Sequence, residues 1–407
     1  MEIIIILWIF LSKSHFLNYD ASIKIYTTVI GFIVAMTIPI FFIIKKILLN
    51  SFKIRILNLN NMGQLSYISF LLIFIISILN NIRINDISPL EKPISLLAIL
   101  MIISYGLFSS QVFNKNNFIK RFNQISYISI IINLIFLLFL HDLSWDGGRF
   151  KGYLSDPAIM SSLSIIITCF LTPRLFQTDK LALIRFDIFF LLLNFLFAYL
   201  SGSRSCIFII LVLTLITLFA NGYKYKLKFK SNNKSIFRNI SLGTTPFIAI
   251  LGYFMTTGLL TFGPRLRTQN AFNDRFTQWS YAFIDPKWFE GIGLTAKFVL
   301  DDVGETAYTH FLDPHNLYLS TALNLGMLSG LIMFIGTIII LFNLISGLSI
   351  INQDYCFYLL VFSIILISPI GGSMFSLNNI YDRTAWVSLS FLFLPINSKS
   401  INNLKRN

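Results

Sequence analysis

The sequence predicts an all-α fold, a polytopic bundle of about eleven to twelve transmembrane helices of the roughly 20-residue length that crosses a bilayer. Two observations lead to it. Of the 407 residues, 55% are apolar and 12% charged, with a mean hydropathy of +0.74, where soluble chains run roughly 45–50% apolar and about 25% charged. A soluble enzyme is excluded. Apolar runs such as 125–140, 186–200 and 205–220 then recur along the whole chain, each near the length a helix needs to cross about 30 Å of hydrocarbon. Alternating strands of about ten residues, the signature of a membrane β-barrel, are absent.

In chain order the apolar segments lie near 3–11, 25–44, 65–80, 94–112, 123–140, 158–173, 186–200, 205–220, 240–262, 316–345, 355–371 and 384–395. The first is too short to span unless it extends past Lys13. Glu2 and the lack of a small-residue cleavage site argue against a cleaved signal peptide, so it is expected as a short first helix. The remainder form one transmembrane domain over 1–407, with no repeat, low-complexity tract or separable soluble domain.

Charge sets the orientation. With the N-terminus inside, the inner connections collect most of the Lys and Arg, among them Lys45, Lys46, Lys53, Arg55 and the run Lys224, Lys226, Lys228, Lys230, Lys234 and Arg238. Most acidic residues fall outside. This is the positive-inside pattern, and it places both termini in the cytoplasm. The net charge of +14 therefore reports orientation, and no nucleic-acid partner is needed to explain it. The 221–239 run reads as a solvated inner loop touching anionic membrane lipids.

One outer connection, 263–313, is far longer than the rest. Phe272, Phe276, Trp279, Tyr281, Phe283, Trp288 and Phe289 make it too aromatic for disorder, so it is expected to cap the bundle. Asn273 or Asp274 can cap a short helix on which Phe276, Trp279 and Phe283 form an apolar stripe.

The spans carry almost no charge, which argues against an ion-coupled transporter. Cations cluster instead where helices begin on the outer face, the ends at which unsatisfied N–H groups carry about half a positive charge. In "SGSRS", Ser201 or Ser203 can cap a helix with Arg204 in its first turn; in "DPHN", Asp313 is a candidate cap, Pro314 suits the first helical position, and His315 and Asn316 follow. Asp156 and Pro157 open another helix seven residues after Arg149, Asp382 and Arg383 open the last, and Arg275 begins the short helix of the large loop.

Arginine in a first turn opposes the helix dipole by about 0.3–1 kcal/mol, and a bound anion reverses the sign. Its planar fork suits bidentate phosphate contact. The plain alternative for any one of them is snorkelling to headgroups or pairing with a nearby acid. A histidine at a helix start is held neutral by the positive potential, the form that accepts a proton from a hydroxyl, so His315 is the candidate general base; the plain alternative is a capping histidine. Asp301, Asp302, Glu305 and Asp313 could together bind a divalent cation, but acid-rich outer loops are usually just solvated, so no metal or other cofactor is expected. Cys169, Cys206 and Cys356 lie in or beside apolar segments and read as buried small hydrophobes.

The order of these motifs resembles the O-antigen ligase and polymerase superfamily of bacterial inner membranes. "GRFKGYLSDPAIMSSL" (148–163) resembles the family's Arg, Gly and Pro segment leading into a span, and "YLSGSRSCIFIIL" (199–211) its Ser-Arg helix start. "DRFTQWSYAF" (274–283) with "GIGL" (291–294) resembles its Arg and Trp helix and glycine pair in the large loop. "HNLYLSTALNLGMLSGLIMF" (315–334) resembles its His-Asn start and glycine-spaced span. The likeness covers roughly 145–345. It departs at "SDPA" (155–158), where members often have Pro followed by Asn.

The resemblance implies a GT-C-like helical fold in the inner membrane, an undecaprenyl diphosphate-linked glycan as substrate, and an active site on the periplasmic face. Carried to matching positions, Arg204 and Arg275 grip the diphosphate with Arg149 assisting, His315 lies near the acceptor hydroxyl, and Asn316, Asp313 and Ser203 support them. The expected activity is polymerisation of lipid-linked repeat units into O-antigen or a related surface polysaccharide, with a chain-length regulator as a further partner. A ligase moving glycan to lipid A core is the alternative within the family; a flippase of lipid-linked sugars is the alternative of another class.

Overall fold

The computed structural model describes residues 2–11, 14, 15, 48, 115–177, 181–228, 279, 299, 300, 310, 311, 316, 318, 319, 322, 326–348, 351 and 355–367. The expected spans 25–44, 65–80, 94–112, 240–262 and 384–395 lie outside the described residues. Those described are mostly helical: α1 (Glu2–Leu11), α2 (Lys115–Phe139), α3 (His141–Ser144), α4 (Pro157–Leu171), α5 (Arg174–Gln177), α6 (Leu181–Leu200), α7 (Arg204–Lys228), α8 (Met327–Leu348) and α9 (Tyr355–Ile367). Three stretches, Asn116–Phe139, Pro157–Gln177 and Arg204–Asn221, are long and apolar enough to cross a membrane. Two antiparallel ribbons supplement the expected all-α fold: β1 (Trp145–Asp146) with β2 (Arg149–Phe150), and β3 (Val299–Leu300) with β4 (His310–Phe311).

The chain divides into two compact units. The first comprises Met1–Gly31, Asn114–Gln269 and Leu344–Leu366; the second comprises Phe32–Phe113, Asn270–Asn343 and Ile367–Asn407.

In the first unit α4 is the central helix. Asp156, in extended backbone, accepts the Ala158 N–H at 2.6 Å, and Pro157 takes the first position, where its missing N–H costs nothing. Every residue from Met160 to Leu171 is buried. Its Ser161, Ser164 and Thr168 are small enough for close helix approach. Asn194 of α6 donates to the Ser164 carbonyl at 2.9 Å and the Thr168 hydroxyl at 3.1 Å, and the Cys206 thiol of α7 reaches the Ser161 carbonyl at 2.9 Å. Around the far half of α4, Phe122 stacks on Phe170 with centroids 4.0 Å apart, Phe10 lies 5.3 Å from Phe122, and Phe357 of α9 lies 5.7 Å from Phe170.

Helix α2 has an inside and an outside despite being apolar on both. Phe118, Phe122, Ser126, Ser129, Asn133 and Phe136, spaced three or four apart, are buried, while Ile128, Ile131, Ile135, Leu138 and Phe139 are exposed. The polar members turn inward because the exposed face is the apolar one, the arrangement that lipid as solvent selects. α1 is helical, as expected for a short first segment, and its ten residues reach about 15 Å at 1.5 Å each, half a hydrocarbon core. Chain from the 150s meets its end: His15 N–H donates to the Tyr153 carbonyl at 2.8 Å, Ser14 bridges Leu154, and the Tyr153 hydroxyl donates to the Phe10 carbonyl at 3.2 Å.

In the second unit the structure corrects one expectation. The segment 316–345 is not one continuous span. Tyr318, Leu319 and Ala322 are helical, the Gly326 N–H closes on the Ala322 carbonyl at 2.9 Å, Gly326 takes φ +93°, and α8 starts at Met327. A positive φ is where a helix ends on glycine, and the Gly326 carbonyl then accepts the N–H groups of Ser329 and Gly330 in the first turn of α8. The chain doubles back there: the Tyr318 and Phe334 rings are 5.4 Å apart, where a straight helix separates residues sixteen apart by about 24 Å.

Candidate functional site

The expected site residues sort by unit. Arg149, Ser203 and Arg204 belong to the first, at the end of the bundle where α2 finishes, α4 begins and α6 turns into α7. Asn316 belongs to the second. Arg275, Asp313 and His315 lie outside the described residues, as do Asp301, Asp302 and Glu305. Trp279, on the expected stripe of the large loop, is helical.

Arg149 is carried on the β1–β2 hairpin. Its two-residue loop is Gly147-Gly148, with φ +54° and +75°; a turn with both central residues in the left-handed region matches the twist of the flanking strands, and glycine adopts it without strain. The register pairs Trp145 with Phe150 and Asp146 with Arg149, so the aromatic pair and the charged pair sit on opposite faces. Phe150 is fully buried and stacks on Phe197 of α6 at 5.4 Å. Trp145 meets Phe150 edge-on at 5.7 Å and His141 at 5.4 Å. Burial of the aromatic face fixes which way Arg149 points.

Below the hairpin the chain is held by Asn133 of α2. Its carboxamide oxygen accepts the Tyr153 N–H at 3.3 Å, and Gly152, at φ +60°, lets it approach, since a Cβ there would overlap that oxygen. The Tyr153 hydroxyl accepts from Ser129 at 3.0 Å while donating to Phe10. Burial pushes the Tyr153 phenol well above its ordinary range, opposed by the Ser129 hydrogen bond. Tyr153 therefore stays protonated and serves as a fixed strut.

Arg149 reaches the turn between α6 and α7. Its Nε donates to the Ser201 carbonyl at 2.7 Å, and its side chain lies along Gly202, at φ +70°, where a Cβ would stand 3.2 Å from Nε. Ser201 is fully buried, its hydroxyl donating to the Ala198 carbonyl at 2.6 Å and meeting the Ser161 hydroxyl at 2.8 Å. The helix that follows is capped by Ser203, not Ser201: the Ser203 hydroxyl accepts the Cys206 N–H at 3.4 Å, and Arg204 is the first residue of α7. Two of the expected cationic segments, the one carrying Arg149 and "SGSRS", are thus in direct contact.

Asn316 is itself a cap. Its side-chain oxygen accepts the N–H groups of Tyr318 at 3.0 Å and Leu319 at 3.2 Å, the second and third positions beyond a helix cap. Asn316 therefore caps the turn that carries Tyr318 and Leu319; Asp313, the expected cap, lies outside the described residues.

At the opposite end of the first unit, Arg174 pairs with the fully buried Asp187 at 3.0 Å, Tyr127 hydrogen-bonds to Asp187, and Arg174 lies over the Tyr127 ring at 5.7 Å. Asp187 and Ser201 are about 20 Å apart along α6 at helical rise, so this cluster is separate from the Arg149 turn. The sequence shows Asp187 but gives no sign of the partners. Among the described residues, no three of His, Cys, Asp and Glu form a metal-holding group.

The residues that sequence reasoning passes over are Gly147, Gly148 and Gly202. "WDGGRF" holds the double glycine of a tight hairpin, a readable signal; the need for glycine at 202 appears only with Arg149 laid across it. Comparison of the chain with family models, curated proteins and solved structures gives no match.

Proposed function

We propose that this chain is a glycosyltransferase of bacterial inner membranes that polymerises undecaprenyl diphosphate-linked repeat units at the periplasmic face, in a GT-C-like bundle of about eleven to twelve spans. The observation that carries the reading is the Arg149 side chain seated on the turn from which Arg204 opens α7. It joins two motifs of the O-antigen ligase and polymerase resemblance. In such a reaction the glycosidic C–O bond breaks and negative charge grows on the leaving lipid diphosphate. Guanidinium groups fixed where that charge appears lower the barrier. His315 takes the proton of the attacking sugar hydroxyl, a role worth about 10²–10⁴ in rate, and the apolar helix faces hold the polyprenyl chains.

The test is elongation of lipid-linked repeat units by the purified chain in nanodiscs, without nucleotide or ion gradient. Arg204→Ala, Arg275→Ala and His315→Ala should each abolish or strongly reduce it, and unchanged rates would refute their roles. In cells, loss of the protein should leave core bearing a single repeat unit; bare core would assign the ligase reaction instead.

A further inference from the structure

We propose that Gly202 and the Ser201 carbonyl are positioning elements that hold the Arg149 guanidinium ready for the diphosphate of a lipid-linked substrate, an inference that rests on the glycosyl-transfer reading above. An arginine side chain carries about 2 kcal/mol of rotamer entropy, and a site that fixes it beforehand spares a ligand that loss. Arg149 is fixed from both ends. Its backbone belongs to a strand whose next residue, Phe150, is buried against Phe197 of α6. Its Nε is bound four residues further along, to the Ser201 carbonyl at 2.7 Å. One helix end therefore anchors the strand and sets the plane of the guanidinium.

The middle of the side chain is supported by Gly202. A Cβ at 202 would lie 3.2 Å from Arg149 Nε, 3.5 Å from Cγ and 3.7 Å from Cδ, and φ +70° already strains any L side chain there. A side chain there strains the backbone and makes the arginine give by a few tenths of an ångström at Nε, against the hydrogen bond that seats it. The seat is itself rigid: the Ser201 N–H donates to the Phe197 carbonyl at 2.9 Å, and its hydroxyl is held between Ala198 and Ser161 of α4.

A basic side chain also satisfies a carbonyl at a helix C-terminus without any ligand, so the experiment must separate a cap from a seat. The full chain in nanodiscs is titrated with undecaprenyl diphosphate, as wild type, Arg149→Ala, Gly202→Ala, the double variant and Arg149→Lys, with a melting temperature for each. Arg149→Ala should weaken binding about tenfold or more, the range for a lost hydrogen bond to a charged group. Gly202→Ala should weaken it several-fold, and the double variant should bind no worse than Arg149→Ala.

Wild-type affinity in Gly202→Ala, or losses that multiply in the double variant, would overturn the seat and leave the glycosyl-transfer reading standing. A cap alone gives the first of these outcomes together with a lowered melting temperature. Absence of binding by the wild type would overturn both proposals. Should Gly202→Ala fail to fold, Arg149→Lys decides, because lysine keeps the charge and lacks Nε: affinity near that of Arg149→Ala supports the seat, and affinity near wild type removes it.

Discussion

Gly330→Ala tests the turn at Gly326, because the two ways the segment can fold give opposite signs. In a continuous helix residues 322 and 330 are about 12 Å apart, and glycine to alanine stabilises the helix by about 0.5–1 kcal/mol. In the folded-back chain a Cβ on Gly330 falls 2.7 Å from the Ala322 Cβ and 2.9 Å from the Tyr318 carbonyl oxygen, against about 3.5–4.0 Å for carbon atoms in contact. Neither neighbour is the far end of a flexible side chain, so the two helices must part by about 1 Å to restore that spacing. Overpacking of this kind costs about 1–3 kcal/mol. At 1.4 kcal/mol per factor of ten, the turn should open roughly 5- to 150-fold more often. Hydrogen exchange read by mass spectrometry over 316–334 should show faster exchange at the Gly326, Ser329 and Gly330 amides, the three that hold the turn. Ala322→Gly in the same chain removes the nearest contact and should recover part of the protection. Slower exchange in Gly330→Ala, or spin labels at 318 and 334 reading about 20 Å or more apart, would refute the turn and restore a single span.

Three further outcomes follow from other parts of the molecule. Arg174→Leu leaves Asp187 buried without its ion pair and should destabilise the protein by about 2 kcal/mol, below the usual figure for a fully buried pair because Arg174 is partly exposed; Arg174→Leu with Asp187→Leu should regain most of it in a thermal melt. Gly152→Ala places a methyl on the Asn133 oxygen and should lower the melting temperature, with Asn133→Ala relieving the clash but not the strain of a positive φ. Because burial raises the Tyr153 pKa in the folded chain, its stabilising contribution is complete below about pH 10, where the unfolded phenol titrates, and declines above it by up to 1.4 kcal/mol per pH unit. Tyr153→Phe should melt lower than wild type at pH 8, with the gap unchanged up to about pH 9 and narrowing above about pH 10; a gap that widens would refute the assignment.

What is legible in the sequence is what lipid and local chemistry dictate. Runs of Ile, Leu and Phe state helices, and the segments at 123–140, 158–173, 186–200 and 205–220 each fall within or nearly within a helix of the structure. Asp156-Pro157 states a helix start through two adjacent residues, and the structure has that start. The limit appears at 316–345. Hydropathy reads which residues tolerate lipid and is blind to direction, so two apolar helices joined at one glycine look like one. Length is the available sign: thirty residues make about 45 Å of helix, half again the thickness of hydrocarbon. The cap at Asn316 escapes a sequence reading for a related reason, since "DPHN" offers two residues able to cap and only the fold decides which carboxyl or amide meets the N–H groups.

The Arg149 turn is legible in parts but not as a contact. Arg149 and Ser201 are fifty-two residues apart, and no local rule joins them. What joins them is Phe150: once that ring is buried against Phe197, strand geometry puts Arg149 on the other face, within reach of the α6 terminus four residues beyond Phe197. The same construction ties the position of a half-buried cation to apolar burial of the neighbouring ring. Phe150→Ala should therefore move Arg149 without touching it. If Phe150→Ala binds undecaprenyl diphosphate as tightly as wild type while Arg149→Ala does not, the hairpin's apolar face has no part in placing the arginine, and the link from core packing to anion binding fails.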